Sequence, residues 1–220
     1  MKEFEERQRE LFKSHLRTNL SEFSKTSDAT MSVLSTRKLA GRLDAQQIMH
    51  TLTITRAPAW AAISVNLHNQ LGQLTRETAA LIGTQLAVHI PIDLRYTIDE
   101  PLMGTTLPKW LHNAQLMESQ RILKSMRAGH ASNLTPLEAF LAQHPFTKTN
   151  SSISALTVTA ATGVMNRVAI EIFKLAGLKR YRLETSGEVR DPEAYIREYS
   201  IEQGPQAPMF IGDRSYPVKS

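Results

Sequence analysis

Cysteine is absent from this chain of 220 residues, and glycine-rich phosphate loops are missing as well. Without cysteine there is no disulfide, cysteine nucleophile, iron–sulfur cluster or thiolate zinc site, which fits a reducing compartment. Neither Gly-x-Gly-x-x-Gly nor Gly-x-x-x-x-Gly-Lys occurs, so the two common nucleotide loops are excluded. The seven histidines never fall three or four residues apart. The sequence therefore predicts no cofactor and no metal site.

Aromatic residues are also scarce, at 6% of the chain, so the core has to be built mainly from aliphatic side chains. A hydrophobic fraction of 41% and a charged fraction of 21% are typical of a soluble globular protein. The N-terminus lacks the apolar core of a secretory signal, and no run approaches the ~20 apolar residues that a membrane span requires. We therefore expect an intracellular protein, cytoplasmic or virion-associated, with no membrane span.

Acidic residues are fewer than basic ones, 21 against 26, so the chain has a net charge of +5. The first 30 residues are neutral, because six basic residues stand against six acidic ones. The surplus lies in three separate segments, residues 31–60, 101–131 and 167–190. Such a distribution favours an acidic partner, either nucleic acid or another polyanion.

Hydrophobic periodicity predicts a mostly helical chain. An amphipathic helix is expected over residues 2–25, followed by a Ser/Thr-rich connector over residues 24–32. A long helix is expected to begin at Pro58, with Trp60 opening a series of apolar residues that repeats every seven positions. Further helices are predicted over residues 108–128, 135–144, 152–176 and 191–199. A capping box of Thr135 and Glu138 begins the second of these, and Gly177 ends the third.

Alternating apolar and polar residues predict a strand over residues 88–99, with shorter strands over 51–56 and 179–185. The predicted fold class is therefore α+β, predominantly α-helical with a small sheet of two to four strands. The predicted organisation has three parts: an N-terminal amphipathic helical arm over residues 1–30, a single globular domain over residues 31–203, and an extended Pro/Gly-rich tail over residues 204–220.

Basic side chains from the three segments are candidates for one face that follows a phosphate backbone. On a helix, residues 121, 124 and 127 roughly share a side, and in a strand residues 180 and 182 share the side opposite Tyr181. Aromatic stacking platforms are largely missing, which favours phosphate contact without base reading. The candidate nucleic-acid-binding residues are Arg37, Lys38, Arg42, Arg56, Arg121, Lys124, Arg127, Lys179, Arg180 and Arg182.

Apolar side chains in the arm and the tail are candidates for assembly contacts. A helix as polar as the arm gains little stability alone, so we expect it to dock on the body or on another subunit. The expected partner is a second copy of the chain or a larger protein assembly. The candidate docking residues are Phe4, Phe12, Leu16, Leu20, Phe23, Phe210 and Tyr216.

Residues 35–52 suggest an alternative function, because they resemble a helix-turn-helix DNA-binding regulator. Asp44 is placed to cap a second helix, and Gln47, three residues later, completes a capping box. However, the basic residues of this stretch lie on the first helix, whereas a recognition helix needs them on the second. Base reading is therefore the less favoured function of this segment.

A serine-type hydrolase is a third hypothesis. Ser35-x-x-Lys38, Ser64-x-Asn66 and Lys148-Thr-Asn150 follow an order similar to that of penicillin-binding proteins and serine β-lactamases, in which a lysine helps to activate the serine. The third element lacks its glycine, and the chain is short for that fold. We favour a non-enzymatic structural or assembly protein with a basic face, such as a viral or phage particle component or a subunit of a larger bacterial machine.

Overall fold

The computed structural model of the chain describes residues 2–40, 44–90, 105–130, 133–142, 145–184, 197–202 and 214–218. Five helices fill most of these ranges: α1 (Lys2–Ala40), α2 (Ala45–Leu86), α3 (Leu107–His130), α4 (Pro136–Ala142) and α5 (Pro145–Leu175). Three short strands follow: β1 (Arg180–Glu184), β2 (Tyr199–Ser200) and β3 (Arg214–Val218). The strands form an antiparallel sheet in the order β2-β1-β3. The prediction of a mostly helical protein with a small sheet is confirmed.

The described chain divides into two compact units. Unit 1 comprises Met1–Asn66 with Pro108–Leu156, and unit 2 comprises Leu67–Leu107 with Thr157–Ser220. Helices α2 and α5 contribute residues to both units. The predicted boundaries at residues 30 and 203 stay predictions.

In unit 1, α1 and α2 pack side by side in opposite directions. The ring of Phe23 meets the ring of Trp60 edge to face, with their centroids 4.9 Å apart. Further along, the hydroxyl oxygens of Thr30 and Thr55 lie 2.9 Å apart. Because a later residue of α1 thus meets an earlier residue of α2, the two helices form an antiparallel pair. Residues 19–34 of α1 are thereby joined to the body of unit 1.

Helix α3 runs along another side of α2, again antiparallel. Ile122 of α3 lies in one buried cluster with Ile48 and Leu52 of α2, together with Leu34 of α1 and Phe140 of α4. Further along α2, Glu118 of α3 contacts Arg56. Burial of these apolar side chains from four helices is the main source of stability in unit 1.

The core of unit 2 lies between α5 and β1. Ile170 and Phe173 of α5 are buried with Tyr181 of β1 and Ile201, which follows β2. The rings of Tyr181 and Tyr199 are stacked, with their centroids 5.4 Å apart. Helix α5 ends at Leu175, and two residues later Gly177 has a φ of 70°, which glycine adopts more readily than other residues. The N–H of Leu178 donates to the carbonyl of Phe173 at 3.0 Å, which closes the helix end. The predicted end of the helix at Gly177 is confirmed, and so is the predicted strand over 179–185.

The stretch "TLTITR", residues 51–56, is helical, so the predicted strand is wrong. Its threonine hydroxyls donate to carbonyls four residues earlier, for example Thr51 to Gln47 at 2.9 Å and Thr55 to Thr51 at 2.9 Å. Burial also follows the helical period, because Thr51, Leu52 and Arg56 face inward. Packing against α1 and α3 therefore outweighs the preference of β-branched residues for strands.

The Ser/Thr-rich connector predicted over residues 24–32 is also helical, and α1 continues through it. The hydroxyls of Ser27 and Thr30 donate to the carbonyls of Phe23 and Thr26, both at 2.7 Å. Both side chains face inward, with exposed fractions of 9% and 0%. Back-bonding satisfies the hydroxyls inside the helix, so the segment has no need of a loop.

Helix α2 begins at Ala45 rather than at the predicted Pro58, which lies inside it. Pro58 is exposed, so water can reach the carbonyl of Ile54 that the missing N–H leaves unpaired. The predicted break at Asp44 is confirmed. Its carboxylate accepts from the N–H of Gln47 at 2.7 Å, and its own N–H donates to the side-chain oxygen of Gln47 at 3.1 Å.

The predicted strand over residues 88–99 is described only in part. Residues 88–90 are not in a strand, and the N–H of Val88 donates to the carbonyl of Gly83 at the end of α2. Residues 91–100 lie outside the described residues, as do residues 191–196 of the predicted helix over 191–199. Its last three residues are described and are not helical, since Tyr199 begins β2. The helix over 108–128 is confirmed as α3, and the capping box of Thr135 and Glu138 begins α4. The predicted helix over 152–176 is α5, which begins seven residues earlier with Pro145 in its first turn.

Candidate nucleic-acid interface

The predicted basic residues fall in different parts of the chain. Residues 121, 124 and 127 lie on α3 in unit 1, whereas residues 179, 180 and 182 lie at the start of β1 in unit 2. Arg37 and Lys38 belong to α1, but their side chains are outside the described part of the structure, and Arg42 is outside it entirely. The basic residues of α3 are therefore a candidate site that lies within unit 1 alone.

Arg56 is not a surface residue, and its assignment to the basic face is wrong. Only 2% of it is exposed. Its guanidinium donates two hydrogen bonds to the carboxylate of Glu118, both at 2.8 Å, and a third to the hydroxyl of Ser27 at 2.9 Å. Because this charge is buried and paired, Arg56 is unavailable to a phosphate.

The three other basic candidates of unit 1 whose side chains are described lie on the outer side of α3. Lys124 and Arg127 are exposed, and Arg121 is half-buried. The guanidinium of Arg121 donates to the hydroxyl of Ser152 on α5 at 3.1 Å. This hydrogen bond fixes one end of the basic row against α5.

A fourth basic residue, Lys148 on α5, joins this row. The hydroxyl that receives the Arg121 hydrogen bond, Ser152, itself donates to the carbonyl of Lys148 at 2.9 Å. Lys148 and Ser152 therefore lie one turn apart on the side of α5 that faces Arg121, and Lys148 is exposed. Sequence reasoning missed Lys148 as a binding residue, because its relation to Arg121 depends on how α3 and α5 pack. We call Arg121, Lys124, Arg127 and Lys148 the α3–α5 basic face.

The two helix segments that form this face expose no acidic side chain. Glu118 is the one acidic residue in α3, and it points inward with 5% of its surface exposed. The part of α5 that belongs to unit 1, residues 145–156, has no Asp or Glu. The pairing of Glu118 with Arg56 thus takes one positive and one negative charge inside, and it leaves the outer side of α3 with positive charge only.

The basic residues of unit 2 are partly neutralised. Lys179, Arg180 and Arg182 are exposed, and Tyr181 is buried. Arg180 and Arg182 thus alternate with Tyr181 as predicted. The guanidinium of Arg180 donates to the carboxylate of Glu198 at 2.6 Å. This ion pair lowers the positive potential of the segment.

The predicted docking residues are described only in part. Phe23 is fully buried against Trp60, so it belongs to the core of unit 1 and is unavailable to another subunit. Leu20 is half-buried. Tyr216 lies in β3, where its backbone is in register with Arg182 of β1. The side chains of Phe4, Phe12 and Leu16, and all of Phe210, lie outside the described residues.

The helix-turn-helix segment leads into a helix of 42 residues. At its start, Gln46, Gln47 and His50 are exposed, and Ile48 and Leu52 face the core. Gln47 is engaged in the capping box with the residue before the helix. The first turns of α2 are thus open to solvent on one side, and base reading by them stays a hypothesis.

Other classes of site gain no support from the described ranges. Within them, no group of three or more His, Cys, Asp or Glu side chains could hold a metal ion. In the serine-hydrolase hypothesis, Ser64 is half-buried in unit 1, and the side chain of Ser35 lies outside the described part. One helix, Phe146–Leu175, is long and apolar enough to cross a membrane, yet 67% of its most apolar window is buried inside the protein. That burial is typical of a core helix.

The α3–α5 basic face is therefore the best-supported candidate site among the described residues. We found no match to this chain among protein-family models, curated proteins or solved structures.

Proposed function

We propose that the chain is a non-enzymatic structural or assembly protein that binds nucleic acid or another polyanion through the α3–α5 basic face. The observation that supports this most is the inward position of Glu118, which leaves positive charge alone on the outer side of α3. A row of cations on a helix whose one carboxylate is buried attracts phosphates through counterion release. The proposed location is intracellular, in the cytoplasm or in a particle such as a virion.

The chemistry of the face suits a phosphate backbone better than base edges. Next to the cations stand serine hydroxyls, among them Ser152, which accepts from Arg121, and Ser125, which donates to the carbonyl of Arg121 at 2.9 Å. Lysine, arginine and hydroxyl groups are the side chains that contact phosphates, and such contacts carry no sequence information. We therefore expect binding to depend on salt and to be nearly the same for different sequences.

The test is a salt titration of binding to a mixed-sequence DNA duplex and to a single strand. In each of the variants Lys124→Ala, Arg127→Ala and Lys148→Ala, the slope of log affinity against log salt falls by about 1, because the substitution removes one cation that binds a phosphate. The matched control is Lys25→Ala, which removes an exposed lysine of α1 that pairs with Glu22 at 3.4 Å. Binding that does not respond to salt, or an equal loss in the control, contradicts the proposal.

The assembly part of the proposal assigns further contacts to the N-terminal amphipathic helix and the C-terminal tail. Residues 1–13 contain Phe4 and Phe12, two of the candidate docking residues. Removal of residues 1–13 is expected to lower the mass of the assembly. An unchanged mass would contradict a docking role for this segment.

A DNA-binding regulator is the second candidate, favoured by the exposed Gln46 and His50 on the first turns of α2. Such a protein prefers its own site over a scrambled duplex by about 10³-fold or more at physiological salt. Equal affinity for both duplexes excludes this candidate and leaves phosphate binding by the α3–α5 basic face.

A further inference from the structure

Two large apolar residues are exposed on the outer side of α3, next to the cations of the α3–α5 basic face. Leu116 and Met117 have exposed fractions of 45% and 52%. The inward side of the same helix is marked by Glu118 and Ile122, which are buried. Leu116 and Met117 thus lie on the side of α3 that faces solvent. We call these two residues the α3 apolar pair.

The apolar pair and the cations of α3 share one side of the helix. Lys124 follows Met117 after seven residues, and Arg127 follows Leu116 after eleven, so each returns to nearly the same direction. Both cations are exposed. Along the helix axis they lie about 10 to 17 Å from the apolar residues. A broad, flat partner that lies along α3 and contacts the cations therefore also contacts the apolar pair.

We infer that the polyanion is the anionic surface of a lipid bilayer, against which α3 lies lengthwise. The basic side chains attract the negatively charged headgroups. Leu116 and Met117 enter the boundary between the headgroups and the acyl chains, where exposed apolar side chains are removed from water. The inference deepens the proposed function, because it names the polyanion, and it rests on binding by the α3–α5 basic face.

The apolar pair is the reason to favour lipid over nucleic acid. The positive charge on the outer side of α3 is complementary to either partner, since Glu118 is buried. However, a phosphate backbone engages Lys124 and Arg127 and offers nothing apolar to Leu116 and Met117. Neither apolar residue has a ring on which a base could stack. A headgroup layer with acyl chains beneath it accommodates both kinds of side chain in one contact.

The test is binding of the full-length protein to vesicles, followed by tryptophan fluorescence. Trp110 lies seven residues before Met117, on the same side of α3, and is half-buried. The other tryptophan, Trp60, is 7% exposed, so a change in emission on binding reports on Trp110. We expect a blue shift with vesicles of equal parts phosphatidylcholine and phosphatidylserine. Binding to phosphatidylcholine alone is expected to be weaker on the order of tenfold or more, because those vesicles have no net charge.

Variants separate the charged contribution from the apolar one. Lys124→Ala is expected to weaken binding to the mixed vesicles about fivefold, because it removes one attracted charge. Leu116→Ser and Met117→Ser are each expected to weaken it about tenfold and to leave the affinity for duplex DNA unchanged. Val65→Ser is the matched control and should bind like the wild type, since Val65 is 60% exposed but lies on α2.

Each other outcome has a separate meaning. Salt-dependent binding to duplex DNA without binding to the mixed vesicles overturns the lipid inference and leaves the proposed function. Vesicle binding that falls in Lys124→Ala but not in Leu116→Ser or Met117→Ser also overturns it, because charge attraction would then act alone. If the protein binds neither DNA nor the mixed vesicles, the inference and the proposed binding of a polyanion both fail.

Discussion

Arg56 and Glu118 are joined by two parallel hydrogen bonds of 2.8 Å inside unit 1, where almost none of either side chain reaches solvent. The guanidinium lies between two rings, 4.4 Å from the centroid of Phe23 and 4.2 Å from that of Phe146. It also donates to Ser27 and to the carbonyl of Phe23. One side chain thus connects α1, α2, α3 and α5.

Burial of this pair has a large desolvation cost, which the paired charges and the satisfied donors offset. The planar guanidinium fits the carboxylate and stacks on aromatic rings, which an ammonium group cannot do equally well. We infer that the pair selects which faces of the four helices meet. It also affects function, since it keeps Glu118 away from the α3–α5 basic face.

Removal of the charge on Glu118 is expected to destabilise the fold. In Glu118→Gln the guanidinium of Arg56 stays buried without a countercharge, and the expected loss is about 3–5 kcal/mol in the free energy of unfolding. Urea denaturation followed by circular dichroism measures this loss. Glu22→Gln, in an exposed pair with Lys25, is the matched control and is expected to cost less than about 1 kcal/mol. Equal effects of the two variants would show that the buried pair has no special role.

Arg56→Lys separates the geometry of the pair from its charge. The variant keeps the positive charge but loses the second hydrogen bond to Glu118 and the stacking between Phe23 and Phe146. We expect a loss of about 1.5–3 kcal/mol, the range for a charge-assisted hydrogen bond, by the same denaturation measurement. A stability equal to that of the wild type would mean that charge alone accounts for the pair.

The start of α2 depends on a capping box. Asp44→Ala removes the carboxylate that accepts from the N–H of Gln47, and the expected loss is about 1 kcal/mol. Gln46→Ala is the control, because Gln46 is exposed and has no part in the box. If both variants have the same unfolding midpoint, the cap does not stabilise the helix.

Gly129 is expected to resist substitution although it lies in a helix. A Cβ at this position would overlap the side chain of Ala139 on α4 and approach its Cα to 3.0 Å. In Gly129→Ala, the clash of about 1–3 kcal/mol is expected to exceed the gain of about 1 kcal/mol in helix propensity. A thermal melt measures the net effect, and a higher melting temperature would show that α3 and α4 can separate without cost.

Gly177→Ala is destabilising for a different reason. No atom lies within 4 Å of the added Cβ, but the φ of 70° disfavours any residue other than glycine. We expect a loss of about 1 kcal/mol by denaturation. Gly177→Asn is a matched variant, because asparagine tolerates this conformation better, and its loss should be smaller. The reverse order would contradict a conformational cause.

Local signals explain the parts of the fold that sequence reasoning predicted correctly. The capping boxes at Asp44 and Thr135, the terminator at Gly177 and the alternation around Tyr181 each depend on residues within about four positions. Hydrogen bonds over such short separations form in almost any tertiary context. They are therefore visible in the sequence.

The errors of prediction arise where two local preferences compete. Residues 51–56 alternate like a strand, and residues 24–32 have the composition of a loop, yet both are helical in contact with each other through Thr30 and Thr55. Each of these local preferences is small in free energy compared with the burial of one whole side of a helix. The outcome was decided by partners 25 residues away, which no local pattern contains.

In the candidate site, too, some features are determined by the sequence and others by the packing of the helices. The sequence by itself determined the surplus of positive charge and the spacing of residues 121, 124 and 127 along one helix. Tertiary structure alone decided that Arg56 and Glu118 are buried, and that Arg121 donates to Ser152, one turn along α5 from Lys148. The physical reason is that charge is a property of each residue, whereas its exposure and its partner depend on how separate helices pack.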